Sequence, residues 1–369
     1  MNSIALVDFA PAARLALLAL AIAALPLSYV WLRRRGAQTH QRLAALTALT
    51  LFLTFDLIVF GSFTRLSDSG LGCPDWPGCY GQASPLGATA DIRQAELIQP
   101  TGPVSWNKAW IEMIHRYLAM TVGVLILVMT LVSWLERRRL PHSPWWPTVT
   151  LVWVVIQGLF GKYTVTLKLY PAIVTLHLIG GLMLLALLAM QHEAFVRRPL
   201  LVAPATRRWA RWTLGALAIQ IVLGGWVSTN YAVLACREFP LCDGQWWPPM
   251  DFAAGFTVLR DLGRAADGSM LTFEALVAIH MAHRWFALVL VLSSLWLVRR
   301  LLLEHSSAAR RFAWGLLALL MAQLASGLSN VVLGWPLAAA LGHSAGAAAL
   351  VLLLVMLLAR TRHAEWATA

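Results

Sequence analysis

Charge is scarce in this sequence. Of its 369 residues only 12% are charged, while 59% are hydrophobic. A soluble domain carries about 25% charged residues, so a water-soluble globular protein is excluded. Short segments of alternating polarity are also missing, and with them the signature of a membrane barrel. The remaining way to cross a bilayer is as helices that satisfy their own backbone hydrogen bonds. Cysteine is rare as well, four in all. None of the four forms the Cys-x2-Cys spacing typical of reactive dithiols.

What is present is a series of long apolar runs. Nine are long enough to span the hydrocarbon layer: 12–32, 43–63, 110–134, 146–166, 172–191, 210–229, 274–298, 312–333 and 337–359. The expected fold class is therefore an all-α integral membrane protein. The first run is too long for the core of a signal peptide, and its arginines follow it rather than precede it. It reads as a retained span with the N-terminus outside.

The net charge of +12 does not indicate a nucleic-acid partner, because the basic residues alternate in sidedness. One set of connections holds Arg33, Arg34, Arg35, Arg42, Arg137, Arg138, Arg139, Arg197, Arg198, Arg207, Arg208, Arg211, Arg299, Arg300, Arg310, Arg311, Arg360 and Arg362, 18 in total. The other set holds Arg65, Arg93, Lys108, Lys162, Lys168, Arg237, Arg260 and Arg264, only 8 although two of its loops are much longer. The positive-inside rule puts the first set and the C-terminus in the cytoplasm.

The last eight runs read as one four-helix unit written twice. Cys73-x5-Cys79 in the first long external loop returns as Cys236-x5-Cys242, offset by 163 residues. His115-Arg116 returns as His283-Arg284, offset by 168, and Tyr170-Pro171 as Trp335-Pro336, offset by 165. Gln157 with Gly161 returns as Gln323 with Gly327, and His177 as His343, each offset by 166. Equal order and orientation imply a parallel repeat about the membrane normal. The expected organisation is an extra N-terminal helix and basic turn (1–40), a first unit (41–205) and a second unit (206–369). Short surface helices are expected at 90–99 and 252–262. Trp76, Trp106, Trp246 and Trp247 suit the membrane interface.

Four histidines, His115, His177, His283 and His343, lie near the outer ends of the even-numbered core helices. Imidazoles facing across a bundle are a means of ligating a haem iron from both sides. A lone intramembrane histidine can instead serve helix–helix hydrogen bonding. Zinc would want a third protein ligand, and only Glu112 or His280 offers one. Arg116 and Arg284 follow the first histidine of each unit and are candidates for haem propionates, or for snorkelling to the interface. Glu112 shares a helical face with His115 and Arg116, and ionisable residues at such depth mark sites. Asp56 lies mid-span and is expected to face the bundle. His40, His142, His192, His305 and His363 sit in or beside cytoplasmic segments and read as solvated. Each cysteine pair closes a short loop outside the reducing cytoplasm, so local disulfides Cys73–Cys79 and Cys236–Cys242 are expected. Exposed small-loop disulfides can also be labile, which leaves a redox role open.

Several of these stretches together resemble the heme A synthase family. They are Gly61 to Cys73, Glu112-Met113-Ile114-His115-Arg116, Leu176-His177, Gly244 to Asp251, His283-Arg284 and Gly342-His343-Ser344, and the likeness covers about residues 43–359. It implies a bacterial inner-membrane enzyme that oxidises the C8 methyl of heme O to the formyl of heme A for cytochrome oxidase assembly. It further implies heme b held by His283 and His343, a substrate haem held by His115 and His177, and Glu112 at the reaction centre. Family members with cysteine loops place them outside, here the periplasmic side. Implied partners are lipid, a heme O-supplying farnesyltransferase, oxidase assembly factors and a second copy of the chain. Two other classes use some of the same residues. A di-haem b-type electron-transfer cytochrome needs the four histidines without modifying either haem. A disulfide-generating oxidoreductase needs the cysteines and leaves the histidines unexplained.

Overall fold

The computed structural model describes residues 10–140 and 142–367. Their elements, in chain order, are α1 (Ala10–Arg33), α2 (Thr39–Leu66), α3 (Thr89–Ile98), α4 (Trp106–Leu135), α5 (Trp145–Thr166), α6 (Pro171–Val196), α7 (Pro204–Thr229), α8 (Phe252–Gly255), α9 (Phe273–Leu302), α10 (Ser307–Val332) and α11 (Leu337–Ala367). No strand occurs among the described residues, and nine of the helices are long and apolar enough to cross a membrane. They coincide with the nine apolar runs and extend past most of them, because the polar residues that cap a helix lie outside its greasy stretch. Ser105, Thr272 and Ser306 each accept a backbone N–H of the first turn, at 3.3–3.4 Å, for α4, α9 and α10. Pro171 and Pro204 occupy the first positions of α6 and α7, where no N–H is needed. Within α2, Thr47, Thr50 and Thr54 turn their hydroxyls back onto Leu43 O, Leu46 O and Thr50 O at 2.7–2.8 Å. That hides polar groups inside an apolar helix.

The described chain divides by packing between Leu169 and Tyr170. In the first unit, α4 lies against α1, α2 and α5. In the second, α9 packs on α7 and α10, α11 on α10, α6 and α7, and α6 on α7. Thus α6 groups by contact with the helices that follow it, whereas the sequence repeat grouped it with those before. The reasons are specific. Thr175 and Thr229 share a hydroxyl hydrogen bond of 3.2 Å between α6 and α7. Glu193, 1% exposed, takes a two-pronged contact from Arg360 of α11, with Nε and Nη2 at 2.9 and 2.8 Å. A carboxylate so buried is tolerable only when paired and hydrogen-bonded in this way.

Both long loops are folded back on their own units. In the first, Cys73 and Cys79 are bonded and fully buried, with Cα atoms 4.9 Å apart. The Asp75 carboxylate accepts the N–H groups of Tyr80 and Gly81 at 2.6 and 2.8 Å. Burial, then Asp91 and Asp75, hold the Tyr80 phenol above its ordinary pKa. In the second loop Cys236 and Cys242 are bonded with the same 4.9 Å Cα spacing. There Trp247 stacks on Trp285 of α9 at 4.6 Å between centroids. Helix α3 matches the expected surface helix at 90–99, but α8 is a single turn rather than the helix expected over 252–262. Gly255 ends it by lying against α9, where a Cβ would fall 2.8 Å from Ala275 O. Beyond it Arg260 is drawn inward to Asn230 Oδ1, at 2.6 Å, which holds the chain out of a helical path.

Candidate functional site

In the second unit, His283 of α9 and His343 of α11 face each other, with ring centroids 6.5 Å apart and planes at 78°. Two imidazole–metal bonds of about 2 Å and two ring radii of about 1 Å would put the centroids about 6 Å apart. The observed 6.5 Å is close to that separation. A direct hydrogen bond between the rings would require a closer approach.

The neighbouring helices make room for each ring and grip it. From α7, Gln220 Nε2 lies 3.1 Å from His283 O and 3.0 Å from His283 Nδ1, and 3.4 Å from Nε2 of the same ring. One turn on, Gly224 faces the ring so closely that a Cβ would stand 2.9 Å from Cε1. From α10, Gln323 Nε2 donates to His343 O at 2.9 Å and Ser326 Oγ lies 3.1 Å from His343 Nδ1. Gly327 there takes the place of Gly224, its Cβ position 3.2 Å from His343 Cε1. Gln-x3-Gly is thus a ring seat, polar grip below and open face above, used by α7 and α10 alike. The sequence reading noted Gln323 and Gly327 as repeat landmarks only, and missed Gln220, Gly224 and Ser326. Their shared Gln-x3-Gly spacing was the available signal.

His280 stands apart from this pair. It is buried, and its Nε2 accepts Arg284 Nε at 3.2 Å. Arg284 otherwise donates to Cys236 O at 2.9 Å and Leu241 O at 3.1 Å. His177, on α6 in the same unit, carries a buried Nδ1 without a hydrogen-bond partner.

In the first unit, His115 of α4 lies against Gly61 of α2, where a Cβ would stand 2.8 Å from His115 Nε2. Glu112, 4% exposed, is one turn earlier. Its Oε2 accepts Cys73 N–H at 2.8 Å, and its Oε1 pairs with Arg116 Nη2. The other arm of Arg116 holds the disulfide loop through Asp75 O at 2.9 Å, Pro77 O at 3.2 Å and Gly78 O. Arg116 and Arg284 were read from the sequence as propionate candidates. The structure gives their donors to the carbonyls of the two cysteine loops.

Asp56, expected to face the bundle, is exposed on α2. His305 is exposed and His40, His142 and His192 are partly so, while the side chain of His363 lies outside the described residues. Among the described residues no three His, Cys, Asp or Glu side chains converge as a metal cluster. The donor set at His283 and His343 is thus a pair, which suits a flat ligand that fills the metal's other positions. The partnerless Nδ1 of His177 and the cleared ring faces of His115, His283 and His343 fit the same kind of group.

Fold and site together define a class, that of multi-pass helical membrane proteins with a histidine pair set across a bundle. Comparison with known proteins narrows it. The family described as cytochrome oxidase assembly protein, COX15-CtaA, matches residues 44–355, and the chain belongs to that family. It is 37% identical to the heme A synthase of Shewanella oneidensis, over 85% of this chain and 95% of that protein. It is 28% identical to the heme A synthase of Caulobacter vibrioides, over 81% and 90% of the two chains. With that of Beijerinckia indica it shares 29% identity over 84% and 91%.

Proposed function

We propose that this protein is an oxidoreductase of the inner membrane that converts heme O to heme A. Family membership supports the activity. The observation that carries the site assignment is the 6.5 Å separation of His283 and His343, each ring seated by a Gln-x3-Gly turn. We assign these two as ligands of a resident heme b, which when bound relays electrons. His115 in the first unit is assigned to the substrate iron, and His177 keeps the iron-ligand role read for it from the sequence.

Methyl-to-formyl oxidation adds oxygen to the carbon and removes protons and electrons from it, and Glu112 is the group assigned to accept a proton there. Its two oxygens are held by Cys73 N–H and Arg116, so the carboxylate is oriented before substrate arrives. His280 holds the matching place in the second unit and is tied to Arg284. That difference accounts for oxidation of only one of the two haems. Arg116 and Arg284 are assigned as clamps between the helices and the cysteine loops. The two-fold recurrence of these devices supports an internal duplication, with both cysteine loops on the periplasmic side and the C-terminus in the cytoplasm.

Chromatography and mass measurement of the haems that co-purify with the chain test the reading. Heme b together with heme O or heme A is expected. Heme b alone, from cells that supply heme O, would favour the electron-transfer cytochrome instead.

A further inference from the structure

The four histidines are not seated alike. On α10, Gln323, Ser326 and Gly327 fall on one face and all meet His343. On α7, Gln220 and Gly224 repeat the pattern around His283, but the position between them is Leu223. On α2 the residue before Gly61 is Phe60. Of these three seats, only the one beside His343 has a hydroxyl in this place.

Ser326 has one proton to give. Its Oγ lies 2.8 Å from Ala322 O and 3.2 Å from Gln323 O, the back-bonding geometry of a helical serine. With that proton on the backbone, the oxygen can only accept at His343 Nδ1, 3.1 Å away. A neutral imidazole carries a single ring hydrogen, so an accepting partner at Nδ1 draws the hydrogen there and leaves the Nε2 lone pair for a metal. His283 stands in the opposite condition. Gln220 Nε2 donates to His283 O at 3.1 Å and lies 3.0 and 3.4 Å from the two ring nitrogens, so it offers the ring a donor and no acceptor at Nδ1. The Gln220 Oε1 meanwhile is buried without a partner. Half a turn of that amide would offer the ring an acceptor, but at the loss of the bond to His283 O.

We propose that Ser326 is a positioning residue that fixes His343 in its metal-binding tautomer and strengthens it as an axial ligand, so that His343 is the ready ligand of the haem and His283 the adaptable one. The proposal rests on the assignment of His283 and His343 to heme b. A hydrogen-bond acceptor on the far nitrogen raises ligand basicity, which favours the ferric state and lowers the potential of the haem.

The test uses the full-length, haem-loaded protein carrying Ser326→Thr or Ser326→Val, side chains of equal shape that differ by the hydroxyl. The threonine variant is expected to match the parent in haem midpoint potential and in the rate of haem loss to an excess of a haem-scavenging protein. The valine variant should show a raised potential and about 10-fold or faster loss. Equal potentials and equal loss rates in the two variants would overturn the proposal. His343→Ala is the separate check on the ligand assignment. If it leaves the low-spin bis-histidine spectrum intact, the haem assignment fails, whatever Ser326 does.

Discussion

Glu112 is held from two sides in a nearly dry place. A carboxylate gripped by Arg116 and Cys73 N–H could serve packing alone, since removing one partner of a buried pair is costly whatever the pair is for. Glu112→Gln separates the two roles. The amide keeps the shape and one acceptor oxygen, but it cannot take up a proton. A general base contributes roughly 10²- to 10⁴-fold, so heme A formation should fall by about that factor while haem content stays near the parent's. Unchanged heme A yield from a well-folded Glu112→Gln protein would leave Glu112 a structural residue. Its position one turn before His115 was legible in the sequence, because both lie on one helix. Its bond to Cys73 N–H was not, because it depends on where a 39-residue-distant loop folds back.

At the scale of helices, ring seats are built by what a helix leaves out. Gly224 and Gly327 each bring bare backbone to a histidine face, but not with equal tolerance. A Cβ at 2.9 Å from His283 Cε1 forces the ring to move, whereas one at 3.2 Å from His343 Cε1 asks for a few tenths of an ångström. Gly224→Ala should therefore disturb the bis-histidine optical and magnetic spectrum strongly, with Gly327→Ala milder. Equal spectra for parent and Gly224→Ala would show that the seat is looser than its geometry implies. These contacts explain the partial legibility of the site. Spacing along the chain, repeated between the two units, made His115, His177, His283 and His343 stand out. It does not reveal which residue of another helix meets them, so Gln220, Gly224 and Ser326 stayed silent. The arginines are a related case. A guanidinium near a haem ligand suits a propionate, but the carbonyls of a tightly folded cysteine loop suit it equally, and only the loop's path decides.

For the whole molecule, nine spans were legible because burying an apolar run of that length in lipid outweighs every local preference. The assignment of α6 to a packing unit was less so, since it turns on contacts such as Glu193 with Arg360 that lie 167 residues apart. Orientation is a property of the summed charge. The 18 arginines on one set of connections face 8 basic residues on the other. An odd number of spans puts the two ends of the described chain on opposite sides. Inserting a phosphatase that is active only after export tests this at two points. At the exposed Gly268, in the second cysteine loop, the enzyme should be active. After Arg139, in the α4–α5 turn and 79% exposed in its side chain, it should be silent. A third insertion after Arg139 in a chain with Arg137, Arg138 and Arg139 changed to glutamine probes the cause. If basic charge fixes the orientation through the sum of many residues, removing three of 18 should leave that insertion silent. Activity after Arg139 and silence at Gly268 in the parent would invert the topology and place the cysteine loops in the reducing compartment, where their disulfides would not persist.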